Sequence, residues 1–172
     1  MKKMLMPMIL SAVMLTGCNS RGNVNEKAYL RAAAMDGDSV TLVFFNEDEG
    51  TVTVPLSDPD EAKQAAELAI GKEIFTGHTE IVLLGDCDRG EVLKHILKQW
   101  RVSPSCMAAE SKGDGGIILK ARNPEQLTGI IEQAQEKKLA PRCDIITVLS
   151  RILDDEPEEL PLLSVYGLEP NE

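Results

Sequence analysis

The sequence predicts an α/β (α+β) fold, a mixed β-sheet packed by about four helices in a single domain. Three observations predict it. Short β-rich runs separated by turn residues open the domain, an unbroken apolar run Ile81-Val82-Leu83-Leu84 follows, and the helix-start segments Asp58-Pro59-Asp60-Glu61 and Asn123-Pro124-Glu125-Gln126 repeat one chemistry. Strands interleaved with helices in this order place the helices against a sheet.

Ahead of the domain, Lys2-Lys3, an apolar run from Met4 to Leu15 and the close Leu15-Thr16-Gly17-Cys18 have the layout of a secretory signal. The apolar stretch is shorter than the roughly 20 residues of a bilayer span and carries Pro7, so residues 1–17 are expected to be removed. Leu15-Thr16-Gly17-Cys18 resembles the lipobox of bacterial lipoproteins, whose cysteine thiol receives a diacylglycerol. Cys18 is then the mature N-terminus and the lipidation site, and the covalent diacylglycerol is the one non-protein group expected. Two acyl chains give lasting attachment where one, at about 0.8 kcal/mol per buried methylene, holds only marginally. The chain is expected on the extracytoplasmic face of a membrane, with residues 18–25 as a polar, lipid-proximal tether.

Without residues 1–17, 16 basic residues face 28 acidic ones, a formal charge of −12. Nucleic acid is not an expected partner, because phosphate binding runs on clustered Lys and Arg. The same sign repels anionic headgroups, so the domain is expected to be held by its lipid rather than to lie flat. With Cys18 acylated, Cys87, Cys106 and Cys143 allow at most one intramolecular disulfide. Their spacing matches no zinc pattern, and buried, inert thiols are expected.

In the domain, expected over 26–168, Ala28–Met35, Val40–Phe45 and Thr51–Val54 read as an antiparallel meander turned at Asp36-Gly37-Asp38 and at the acidic loop before Thr51. Asp58 caps the first helix, Pro59 suits its first turn, and Ala62, Ala65, Ala66 and Ala69 form its inner face up to Gly71. A loop through Phe75-Thr76-Gly77-His78 leads to the strand Glu80–Leu84, expected to be covered on both sides. A second helix puts Leu93, Ile96, Leu97 and Trp100 on one stripe, with His95 at its boundary. Ser105–Glu110 reads as a strand, and Lys112-Gly113-Asp114-Gly115-Gly116 as a turn into Ile117-Ile118-Leu119-Lys120. Two more helices carry Leu127, Ile130, Ile131 and Ala134, then Ile145, Val148, Leu149 and Ile152. In the acidic tail, Leu160–Tyr166 is apolar enough to dock as an edge strand, and 169–172 are expected to be flexible.

The parts of an enzyme are mostly missing. No Gly-x-Ser-x-Gly elbow, phosphate loop or His-Glu-x-x-His occurs. His78 reads more simply as a loop histidine than as a general base. Asp86, Asp88 and Glu91 are spaced unlike an EF-hand and read as solvated acids favouring a helix dipole, so no metal site is expected. Six aromatics in 172 residues argue against a stacking platform for sugars or bases.

From Glu26 onward, the chain resembles the N-terminal domain of the Ger(x)C family, the lipoprotein C-subunits of nutrient germinant receptors in spore-forming Firmicutes. The best matching piece is Ile74-Phe75-Thr76-Gly77-His78-Thr79-Glu80-Ile81-Val82-Leu83-Leu84-Gly85, similar to the family's Phe-x-Gly-His segment before a hydrophobic strand. The early run Tyr29-Leu30-Arg31-Ala32, the alanine-rich helix and a helix ending near Trp100-Arg101 agree in order. The resemblance implies a non-catalytic subunit beside integral-membrane A- and B-type partners, on the outer surface of the spore inner membrane. It also implies that Phe75, Gly77 and His78 define the fold, with Gly77 allowing a turn that a side chain would obstruct. The alternative is a cell-envelope ligand-binding or sensor lipoprotein unrelated to germination.

Overall fold

The computed structural model describes residues 26–46, 50–55, 57–157 and 159–170, so the signal, Cys18 and the tether lie outside the described residues. Eight strands form one mixed sheet: β1 (Lys27–Asp36), β2 (Ser39–Phe44), β3 (Thr51–Val54), β4 (Glu73–Phe75), β5 (Ile81–Leu84), β6 (Met107–Ser111), β7 (Leu162–Ser164) and β8 (Gly167–Glu169). Their order is β3-β2-β1-β5-β6-β7-β8, with β4 paired to the start of β1. The expected meander β1-β2-β3 is antiparallel, whereas β1, β5, β6 and β7 run parallel. The sheet and its five described helices make a single-domain α+β fold.

β1 pairs with three strands, β2, β4 and β5, and its second half carries the small residues Ala32, Ala33 and Ala34. A register shift between Leu30 and Ala32 ends the one-face alternation of its first half, and Ala32 to Met35 are all buried. The helices are α1 (Pro59–Ile70), α2 (Arg89–Lys98), α3 (Gly115–Ala121), α4 (Pro124–Glu136) and α5 (Ile145–Leu153). Asp58 caps α1 by accepting the amides of Asp60 and Glu61, and Gly71 ends it at φ 68°, a left-handed conformation that glycine adopts without strain. Ala62 and Ala66 face inward as expected, but Ala69 is exposed. Asn123 and Asp144 cap α4 and α5, whose buried residues include Leu127, Ile131, Ile145 and Val148. Trp100 is buried, although α2 stops at Lys98.

Three segments depart from the sequence reading. Gly115 and Gly116, expected in a turn, open the helix α3 that continues through Ile117–Lys120, because Asp114 accepts the Ile117 amide and the distant Asp36 carboxylate accepts those of Gly115 and Gly116. Phe75 ends a strand rather than lying in a loop, since Glu67 on α1 accepts the Ile74 amide at 2.9 Å and holds β4 beside β1. The tail enters as β7, but β8 folds back antiparallel and takes the edge, so Leu162–Ser164 is an inner strand. Glu169, expected in a flexible end, is in β8 and binds Lys112 at 3.1 Å. Residues 171 and 172 lie outside the described residues.

Candidate functional site

The sheet has two chemically different ends. At the amino end of β1, Lys27, Tyr29 and Arg31 are half-buried, while Ala28 and Leu30 between them are fully buried. Successive strand residues point to opposite faces, so one face here is packed and the other open. β4 pairs in parallel with this segment and places Phe75 opposite Tyr29. On the other side, the Phe45 amide donates to the Tyr29 carbonyl at 2.9 Å.

The family-like segment assembles here. The Phe75 ring lies 5.5 Å from Tyr29 and 5.3 Å from His78, and His78 stacks on Tyr29 at 6.3 Å. A Cβ on Gly77 would come within 2.8 Å of the Phe75 ring. Gly77 is not in the left-handed region, so its missing side chain makes room for a neighbouring ring rather than for an unusual turn. A side chain at Gly77 would thus obstruct the turn, as expected, and the obstacle is the Phe75 ring, with all three motif residues lying together. Two threonines that sequence reasoning passed over fasten the turn. Thr76 donates its hydroxyl to the Trp100 carbonyl, and Thr79 donates to the Thr76 carbonyl, both side chains being buried. His78 is thus a ring among rings in an anchored turn, and it borders an open cavity shared with Ser103, Ser105 and Cys106.

The charges around this aromatic group are paired. Lys27 meets Glu73 at 2.9 Å, and Arg31 meets Glu80 at 2.9 Å and Glu125 at 3.2 Å. The Arg31 guanidinium also lies 5.1 Å over the exposed Phe45 ring. Tyr29 and Arg31 were legible as an early extended run, and their alternation with Ala28 and Leu30 is the signal that marks the open face.

At the opposite, carboxyl ends of β1, β5 and β6, Asp36, Asp38, Asp86, Glu110, Ser111 and Asp114 border an open, polar cleft of about 820 Å³. Burial pushes the Asp36 carboxyl above its ordinary value, against the two amide hydrogen bonds from α3 and with help from nearby Asp114 and Asp38. Asp88 caps α2 by accepting the Glu91 amide, as expected of an acid at a helix start. Among the described residues no group of three or more His, Cys, Asp or Glu is arranged to hold a metal. Nor is any helix among them long and apolar enough to cross a membrane.

His95 lies with Nε2 3.0 Å from Asp60 Oδ1, off the line of a directed hydrogen bond but within ion-pair range, while Trp100 Nε1 donates to the same oxygen at 3.0 Å. Cys106 and Cys143 are buried and free, and Cys87 is half-buried and free. Burial pushes the Cys106 thiol far above its ordinary value and Cys143 to about 11. Cys18, the predicted lipidation site, lies outside the described residues. No protein-family model, curated protein or solved structure matches this chain.

Proposed function

We propose that this chain is a membrane-anchored lipoprotein resembling the C-subunit of a spore nutrient germinant receptor. In this reading it is acylated at Cys18 and acts without catalysis beside integral-membrane A- and B-type subunits in germination. The observation that carries the reading is the Phe75-Thr76-Gly77-His78 segment. Each residue of the Phe-x-Gly-His pattern contributes to one packed turn, with Gly77 seated under the Phe75 ring. A pattern whose spacing is required by contact is harder to reach by chance than one scattered over a surface. The lipobox-like Leu15-Thr16-Gly17-Cys18 adds the matching address.

Deletion of the gene in a sporulating host tests the reading. Slowed nutrient germination, with A- and B-type subunits copurifying with the tagged full chain, is expected. Normal germination with neither subunit recovered overturns it.

The alternative of an envelope ligand-binding lipoprotein gains from the cleft at the carboxyl ends of β1, β5 and β6, the position where open parallel sheets bind ligands. Calorimetric titration with small metabolites distinguishes the two. Saturable binding lost on Asp86→Ala, with germination unaffected by deletion, favours the sensor.

A further inference from the structure

The sheet end bearing Tyr29, Phe45 and Phe75 is an open face in a chain with few aromatics. These three are half of the six that the chain contains. Phe45 is 40 % and Phe75 37 % exposed, in neighbouring strands flanking Tyr29. Burying rings of this size in the core is the usual outcome, so their gathering on one open face calls for a covering surface.

We propose that this face rests on the headgroup layer of the lipid membrane that holds Cys18. The inference rests on the lipid-anchor reading and adds to it an orientation and a contact surface. Three observations favour lipid as the occupant.

The first is reach. Only eight residue steps separate Cys18 from Glu26, where the described domain begins. A fully extended chain covers at most about 3.6 Å per residue, so Glu26, just before β1, is held within roughly 29 Å of the Cys18 backbone.

The second is chemistry. Aromatic side chains together with Lys and Arg are the side chains found at the membrane–water interface, where ring edges and cations meet headgroups. Lys27, Arg31 and His78 lie among the rings, and the acids beside them, Glu73, Glu80 and Glu125, are occupied by Lys27 and Arg31. The paired charges of this face are two cations against three carboxylates, so its contact with lipid rests on the rings and on the tether rather than on charge attraction.

The third is the opposite pole. Asp36, Asp38, Asp86 and Asp114 gather at the other end of β1. Seven residues of strand from Tyr29 to Asp36, at about 3.3 Å each, put that pole roughly 23 Å away, beyond a Debye length of about 8 Å. An anionic membrane repels the acidic pole and thereby turns the aromatic pole inward. The domain as a whole need not lie flat, and contact is confined to one end.

The test uses the acylated full chain in phosphatidylethanolamine and phosphatidylglycerol vesicles. An environment-sensitive nitrobenzoxadiazole probe is attached through Glu73→Cys or, separately, through Asp38→Cys at the acidic pole, both exposed positions. The background carries Cys87→Ser, since Cys106 and Cys143 are buried. On adding vesicles, the probe at position 73 is expected to shift to the blue and to be quenched by headgroup-borne nitroxides, while the probe at 38 stays unchanged. Phe45→Ser with Phe75→Ser, checked for folding by circular dichroism, is expected to lose the shift at 73 while acylation persists. Equal behaviour of the two probes, shielding at 73 only when a membrane protein is co-reconstituted, or shielding that grows with protein concentration without vesicles overturns the proposal. The mass of the N-terminal peptide scores acylation separately. Acylated protein with an unshielded probe at 73 refutes the docking and leaves the anchor standing, whereas unacylated protein refutes both.

Discussion

The carboxylate of Asp36, at the last residue of β1, accepts the amide of Gly115 at 3.0 Å and so fixes the first turn of α3 from 79 residues away in the chain. The two glycines at this turn let α3 approach the sheet closely: a Cβ on Gly115 would lie 2.9 Å from that of Ala34. Asp36→Ala leaves these amides without their carboxylate acceptor, and hydrogen bonds to charged groups contribute about 1.5–3 kcal/mol. With Asp36 only partly buried, a loss of about 1–2 kcal/mol is expected in urea unfolding. The Asp36 carboxyl titrates above its ordinary value when folded, so the folded state holds that proton more tightly and its ionisation opposes folding. The gap between wild type and Asp36→Ala therefore narrows as pH rises from the ordinary carboxylate value through the folded one. A gap that widens over that interval contradicts the burial argument.

Gly116 makes a sharper test of the same junction. A Cβ there would come within 2.4 Å of the buried Thr41 hydroxyl, in a core with little slack. Gly116→Ala is expected to cost about 1–3 kcal/mol by overpacking, despite the better helix propensity of alanine. Shortening the partner by Thr41→Ser, which removes a methyl but keeps the hydroxyl, should leave most of that penalty in place.

Much of the architecture was legible because its causes are local. Asp58-Pro59 and Asn123-Pro124 announce α1 and α4 through side chains that cap amides two or three residues on, and Gly71 ends α1 by its own backbone freedom. What escaped depends on distant partners. Gly115-Gly116 reads as part of a turn until the Asp36 carboxylate is brought to Gly115, and Phe75 reads as loop until Glu67 reaches the Ile74 amide. At the candidate site, Phe75, Gly77 and His78 were visible as a spacing, and Gly77 as a position where a side chain obstructs the turn, but not that the obstacle is the ring of Phe75 two positions back. Phe45 was invisible as a site residue, since β2 pairing alone brings it beside Tyr29.

Acid stability is expected to depend on Asp60. The proximity of His95 and the hydrogen bond from Trp100 hold its carboxyl below the ordinary value, against a smaller opposing effect of burial. A carboxylate depressed in the folded state stabilises the protein above its ordinary value, and that contribution disappears as pH falls through the folded value. Asp60→Asn should therefore flatten the loss of stability below about pH 4, the ordinary carboxylate range, measured by urea midpoints from pH 3 to 6. An unchanged acid limb means the His95 contact does not persist in solution.

Thiol chemistry should follow burial. Cys106 and Cys143 are buried with thiols pushed well above their ordinary range, whereas Cys87 is only half-buried, with Arg89 opposing part of its own upward shift. The thiolate is the reactive form, so Cys87 is expected to take iodoacetamide first in native protein at pH 8. The other two should react only after unfolding, as read by peptide mass spectrometry. Early labelling of Cys143 contradicts the packing of α5 against β6.

The packed turn of the family-like segment is tested by a cycle of Gly77→Ala and Phe75→Ala. Alone, Gly77→Ala drives a methyl into the Phe75 ring at 2.8 Å, and the ring, partly exposed, has to swing out of its stack with Tyr29 and His78. A cost of about 1 kcal/mol is expected, at the low end for overpacking because the ring has room to move. In the Phe75→Ala background that obstacle is gone, so the same change at Gly77 should cost close to nothing, giving a coupling of about 1 kcal/mol from denaturation midpoints. If Gly77→Ala costs the same in both backgrounds, the glycine is needed for its backbone and not for the ring above it. The spacing of Phe75 and Gly77 then loses its physical cause, and with it the support it gives the receptor-subunit reading.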